Sequence, residues 1–174
     1  MNSTLKLLGK FIDLVGLFCS LLMILMVLNV FYDVVMRYFF NDVSIGMQEL
    51  EWHLFAAMFM LGIGYTFKED GHVRVDIFYE AMTQKSQLII NILGALFFAT
   101  PITLIILYFG WGYTAEAYTM GEGSPDPGGL PNRWIIRSVI PLSSIFLLLC
   151  IFYVTANNLI ALKNTDDKAN GATL

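Results

Sequence analysis

Apolar residues run in four long blocks along this chain, separated by short polar stretches. The first block extends from about Phe11 to Met36, the second from about Leu50 to Phe67. The third covers about Leu88 to Tyr113 and the fourth about Ile135 to Leu162. A helix that crosses a bilayer needs roughly 20 mainly apolar residues, and each block approaches or exceeds that length. Charges stay near the block ends, as with Asp13 and Asp33 in the first. Pro101 interrupts the third block and Pro141 lies early in the fourth. Both are tolerable in membrane helices, where neighbouring helices and side chains satisfy the freed carbonyls. Tyr108, Phe109, Trp111 and Tyr113, with Trp134, resemble an interfacial aromatic belt. The pattern predicts an all-α polytopic membrane protein with four transmembrane helices, a single domain over residues 1–163, and a polar disordered tail over 164–174.

Lys6 and Lys10 ahead of the first block could suggest a cleaved leader. However, the apolar stretch is too long for a signal h-region and no A-x-A site follows it. Phe18 precedes Cys19 where a lipidated cysteine would need a small neighbour, so an uncleaved first helix is expected. Composition agrees with the membrane class. Of 174 residues, 57% are hydrophobic and only 14% charged, against about a quarter charged in soluble domains. A net charge of −4 gives nucleic acid no electrostatic footprint. Cys19 and Cys150 sit inside apolar blocks, so neither a disulfide framework nor a metal cluster is expected. His53 and His72 are too few for a bis-haem cytochrome, and no phosphate-binding loop occurs. No catalytic, cofactor or metal site is expected in this chain.

Lys and Arg in the flanks set the orientation. Lys6, Lys10, Lys68, Arg74, Lys85, Lys163 and Lys168 fall on one side, and only Arg37, Arg133 and Arg137 on the other. Both termini are therefore expected in the cytoplasm. The 68–87 connection then faces inward, and residues 37–48 and 114–132 face outward.

The polar residues cluster at those two faces. Asn29, Asp33 and Arg37 share one stripe of the first helix by their spacing of four, either as an ion pair that sets helix depth or as a buried polar contact with a partner helix. Glu49, Glu51 and His53 open the second helix, where carboxylates favour its dipole. Gly71 can end that helix. Beyond it, Val73, Val75 and Ile77 alternate with Arg74, Asp76 and Phe78 as an extended segment, with His72, Arg74 and Asp76 on one face. The outward stretch GEGSPDPGGLPNRW from Gly121 reads as a stiff, turn-rich loop. In it, Asp126 and Arg133 stand as opposite charges around Gly128 and Gly129. Asn91, Thr100, Thr103 and Asn157 are the deepest polar groups, too few for a substrate pathway through this chain alone.

Several of these signatures resemble one family. Arg37-Tyr38-x-Phe40-Asn41 closes the first helix, Glu49 and Glu51 open the second, and Gly71-His72-Val73-Arg74-Val75-Asp76 fills the inner connection. Ser124-Pro125 through Pro131, with Arg133-Trp134, completes the set. Over nearly its whole length the chain is similar to the small four-helix membrane subunit, the Q subunit, of tripartite ATP-independent periplasmic (TRAP) transporters. Gly46, Met47 and Gln48 depart from the family pattern of a tryptophan and two adjacent acids. The resemblance implies a scaffold in the inner membrane of a bacterial or archaeal cell, partnered by a large permease subunit that carries substrate and sodium. It also implies a periplasmic substrate-binding protein that delivers an organic acid. On that basis Arg37, Asn41, Glu49, Gly71, His72, Arg74, Asp76, Asp126, Gly128, Gly129, Arg133 and Trp134 are the candidate partner-interface residues. Two other classes compete: a stand-alone four-helix exporter, which needs a membrane-embedded Glu, and a redox-complex membrane anchor, which needs helical haem-ligating histidines.

Overall fold

The computed structural model describes residues 3–73 and 76–171, with side chains described except at 76 and 166–171. All regular structure among the described residues is helical: α1 Ser3–Phe39, α2 Ile45–Lys68, α3 Asp76–Glu80, α4 Gln84–Gly94, a π-helical turn Ala95–Ala99, α5 Thr100–Thr119 and α6 Trp134–Gly171. Segments α4 to α5 form one continuous rod. Among the described residues, three helices are long and apolar enough to cross a membrane: Ser3–Phe39, Gln84–Thr119 and Trp134–Thr165. The second apolar block also folds as a helix, α2, but Glu49, Glu51 and His53 in its first turns dilute its hydropathy.

Four rods lie side by side in the order α1, α2, α6, α4–α5. They make an open layer, not a closed bundle. The two central helices are α2 and α6, so the α6 span is 39% buried while the Gln84–Thr119 span is only 11% buried. Each seam is closed by a glycine under a larger side chain, as membrane helices commonly pack. A Cβ on Gly16 would lie 2.5 Å from the Tyr65 ring, closing α1 on α2. One on Gly64 would lie 2.7 Å from Phe146, and one on Gly110 2.7 Å from Ile140, closing α6 on both neighbours. Ile12, Phe146 and Cys150 form the buried core, with Tyr65 and Tyr153 packed on it.

Pro101 does not break the third rod. Upstream of it the helix widens into the π turn, and the Thr100 hydroxyl donates to the Ala95 carbonyl at 2.8 Å. That is the local repair through which a membrane helix tolerates proline.

Three local expectations change. Gly71 does not supply the left-handed residue that ends α2. Asp70 does, at φ 57, while Gly71 N–H donates to the Thr66 carbonyl at 3.0 Å, closing a Schellman turn. The extended alternation fails from Asp76 onward, because Asp76–Glu80 is a helical turn. A one-residue alternation needs a sheet partner to hold it, and no strand runs beside it among the described residues. Finally, α6 continues past Lys163 to Gly171, where polar composition alone suggested a tail.

Candidate functional site

Polar chemistry gathers at the two ends of the layer, called here the tryptophan end (Trp52, Trp134) and the lysine end (Lys68, Lys85). At the tryptophan end the chain turns out of α1 through Asn41, whose φ of 50 suits asparagine better than most residues. Ser44 then caps α2 by accepting from the Met47 N–H at 3.4 Å. The Asn29-Asp33-Arg37 stripe meets this turn. Asp33 and Arg37 pair as i, i+4, and Asn29 Nδ2 donates to the Met47 carbonyl at 2.9 Å. The stripe is thus both an ion pair and a buried contact, made with a helix of the same chain. Asn29 and Asp33 are buried.

Glu49 dominates this end. It is buried, at 6% exposure, and its carboxylate reaches across to the 120–133 connection. Ser124 Oγ donates to it at 2.5 Å and Leu130 N–H at 2.6 Å. Glu49 sits ahead of the apolar stretch that begins at Leu50. The Ser124 hydroxyl and the Leu130 N–H hold its carboxyl below the usual range, because both favour the charged form. The loop is folded around that anchor: Ser124 N–H donates to the Leu130 carbonyl at 3.1 Å, and Gly129 N–H to the Asp126 carbonyl at 3.0 Å. Gly128 makes the turn, at φ 83. Gly129 serves instead for close approach, since a Cβ there would overlap Ser124 Oγ and lie 2.9 Å from Glu49 Oε2.

Asp126 is exposed at the apex. Arg133 does not turn toward it. The carboxylate nearest Arg133 is Glu122, at 3.9 Å, and Arg137 holds that same carboxylate at 2.5 Å. Trp134 packs edge-on against Tyr118, 5.4 Å between ring centroids.

The lysine end is built differently. Lys68 pairs with Asp13 of α1 and with Glu69 at 2.9 Å, tying α1 to the end of α2. His72 lies near the Phe67 ring, 6.2 Å between centroids, with Nε2 3.3 Å from the Ile63 carbonyl. Val73, Ile77 and Phe78 are all strongly exposed. Arg74 lies outside the described residues, as does the side chain of Asp76.

Of the candidate residues, Glu49, Gly128, Gly129 and Arg133 come together at one end. His72 and Gly71 sit at the other, and no group of three metal-ligating side chains occurs among the described residues. Ser124, Glu122 and Arg137 were not among the candidate interface residues. A carboxylate in a long loop with arginines following at helical spacing was the available signal for the last two; nothing local pointed Ser124 at a residue 75 positions away.

Residues 26–161 match the family of tripartite ATP-independent periplasmic transporters, DctQ component. The chain belongs to that family. It is a small membrane subunit of a TRAP transporter, and the match covers the Asn29 stripe, the Glu49 anchor and both connections. No curated protein matches the chain.

Proposed function

We propose that this TRAP subunit is the fixed scaffold of a sodium-coupled uptake system, seated beside a large permease subunit that carries both substrate and ion. A periplasmic binding protein delivers an organic acid to the pair. On this reading the chain crosses the inner membrane four times with both termini cytoplasmic, following its Lys/Arg asymmetry. At about 1.5 Å per residue the apolar stretch of α2 from Leu50 to Phe67 is about 27 Å long, close to a hydrocarbon core of about 30 Å.

The observation that carries the scaffold role is where the polar groups lie. Between the ends, residues 14–32, 54–67, 86–115 and 138–162 contain no Asp, Glu, Lys, Arg or His. Transport sites need such groups or broken helices at midplane depth. The exporter alternative would need Glu49 free for a proton, yet both its oxygens accept hydrogen bonds from the chain's own loop. Meanwhile the Gln84–Thr119 rod leaves its apolar surface bare, as fits a subunit that presents helices to lipid and to a larger partner.

Co-purification of a tagged chain from its native membrane, followed by paired reconstitution, tests this. The large permease subunit should co-purify, and sodium-dependent uptake should need both subunits plus the binding protein. Uptake by this chain alone would overturn the scaffold role. In the same assay, Arg74→Asp combined with Asp76→Arg should lower recovery of the large subunit while the chain still inserts.

A further inference from the structure

We propose that a cleft at the tryptophan end binds the headgroup phosphate of a phospholipid, with the start of one acyl chain below it. The inference rests on membrane embedding alone and goes beyond the transporter role.

The cleft follows from the order of the rods. α6 lies between α2 and α5, and residues of all three line a cavity of about 330 Å³. Ile136 and Ile140 form the floor, Ala56 and Met60 one wall, and Tyr113 the other. Arg133 and Arg137 stand at its mouth, one helical turn apart. Each guanidinium rests on an aromatic ring: Arg137 lies 3.9 Å from the Tyr113 centroid and Arg133 5.8 Å from that of Trp52. Such stacking holds both cations at the level of the aromatic belt, where phosphates sit.

Donor arithmetic then leaves room for an anion. The two side chains are 28% and 17% exposed, and each guanidinium carries five N–H donors. Arg137 gives one to Glu122 at 2.5 Å; Arg133 reaches that carboxylate only at 3.9 Å, beyond hydrogen-bond range. Glu49 lends Arg133 its field, but its oxygens are taken by Ser124 and Leu130. None of these guanidinium nitrogens is a fully buried atom without a partner, so the donors that Glu122 leaves over remain accessible, where an anion can reach them. A phosphate diester offers two non-bridging oxygens that match the guanidinium fork. The apolar walls below the mouth distinguish a lipid from a soluble anion, since only a lipid fills both parts.

The test uses the full chain, with or without whatever subunit co-purifies from its native membrane, delipidated in neutral detergent. Native mass spectrometry then follows occupancy by dioleoyl phosphatidylglycerol, by dioleoylglycerol, and by inorganic phosphate. Only the phospholipid should give a saturable one-to-one adduct. Arg133→Gln should weaken that adduct roughly tenfold, the worth of a charged hydrogen bond. Ala56→Phe, which fills the cleft and leaves both arginines in place, should weaken it as much. Circular dichroism confirms that each variant is folded; if Arg133→Gln is not, Ala56→Phe decides. Equal binding of phosphate alone would make this a soluble-anion site and overturn the proposal. So would equal binding of dioleoylglycerol, or an adduct that neither substitution weakens, which would be unspecific annular lipid.

Discussion

The two long connections of this chain dispose of their polar and apolar groups in opposite ways. At the tryptophan end, residues 120–133 fold back onto their own subunit. Glu49 accepts from Ser124 and Leu130, Glu122 holds Arg137, and Arg133 N–H donates to the Glu122 carbonyl at 2.8 Å. At the lysine end, Gly71 N–H donates to the Thr66 carbonyl at 3.0 Å and Met82 N–H to the Tyr79 carbonyl at 3.1 Å, and three described apolar side chains stay outside: Val73 is 102%, Ile77 82% and Phe78 71% exposed. A loop rich in proline and glycine suggests recognition, yet here most of its stiffness serves self-attachment. The connection that resembles an ordinary turn offers the larger unfilled apolar surface, and clustered exposure of that kind marks an interaction site.

Removing the anchor should break this contrast most. Glu49→Ala takes away both acceptors, so amide exchange over 122–131 should rise at least about tenfold, while exchange over 69–83 stays as it was. If both connections loosen together, Glu49 supports the whole layer and the loop is not a separate unit.

Next in size comes the exposed apolar pair. Ile77→Asp with Phe78→Asp should change the thermal midpoint of the chain little, as surface substitutions do. It should lower recovery of the large subunit in pull-downs by several-fold. Unchanged recovery would leave those side chains to the membrane surface.

A smaller effect is expected at Gly129→Ala. Its φ lies outside the left-handed region, so the cost comes from Ser124 Oγ and Glu49 Oε2 giving way. Exchange at Leu130 should rise by a few-fold, clearly less than in Glu49→Ala. An equal rise would mean the loop depends on shape more than on the carboxylate.

Acid should have the least effect within the ordinary range. The Glu49 carboxyl is held below its usual value of 4.5. Its contribution is therefore fully present above that value and is lost only as pH falls through the lowered one. A spin label at Asp126 should stay immobile from neutral pH down to about pH 5. Mobilisation near pH 6 would implicate another group.

Much of this was legible in the sequence, because burial in lipid is a one-dimensional constraint. Long apolar runs, charges confined to their ends, the Asp33–Arg37 spacing and the flanking lysines each follow from chain-local physics. Together with the GHVRVD run from Gly71 they predicted an all-helical membrane subunit of this family. The site was less legible. Glu49 appeared as a helix-start acid and Asp126 and Arg133 as opposite charges at the outer surface; the structure adds that Glu49 accepts from Ser124 and Leu130 and that Glu122 pairs with Arg137. Partners 75 and 81 positions apart meet only after α2 and α6 have packed in parallel.

The sequence by itself determined the class, the helices and the ends at which polar groups collect. Only the tertiary structure decided that the rods form an open layer with α2 and α6 central, because apolar faces in lipid carry little preference for one neighbour over another. Close contact at a few small residues makes that choice. Gly16 under Tyr65, Gly64 under Phe146 and Gly110 under Ile140 set the order of the rods. That order brings Glu49 to the loop and places α6 between α2 and α5, where the two arginines line a cavity.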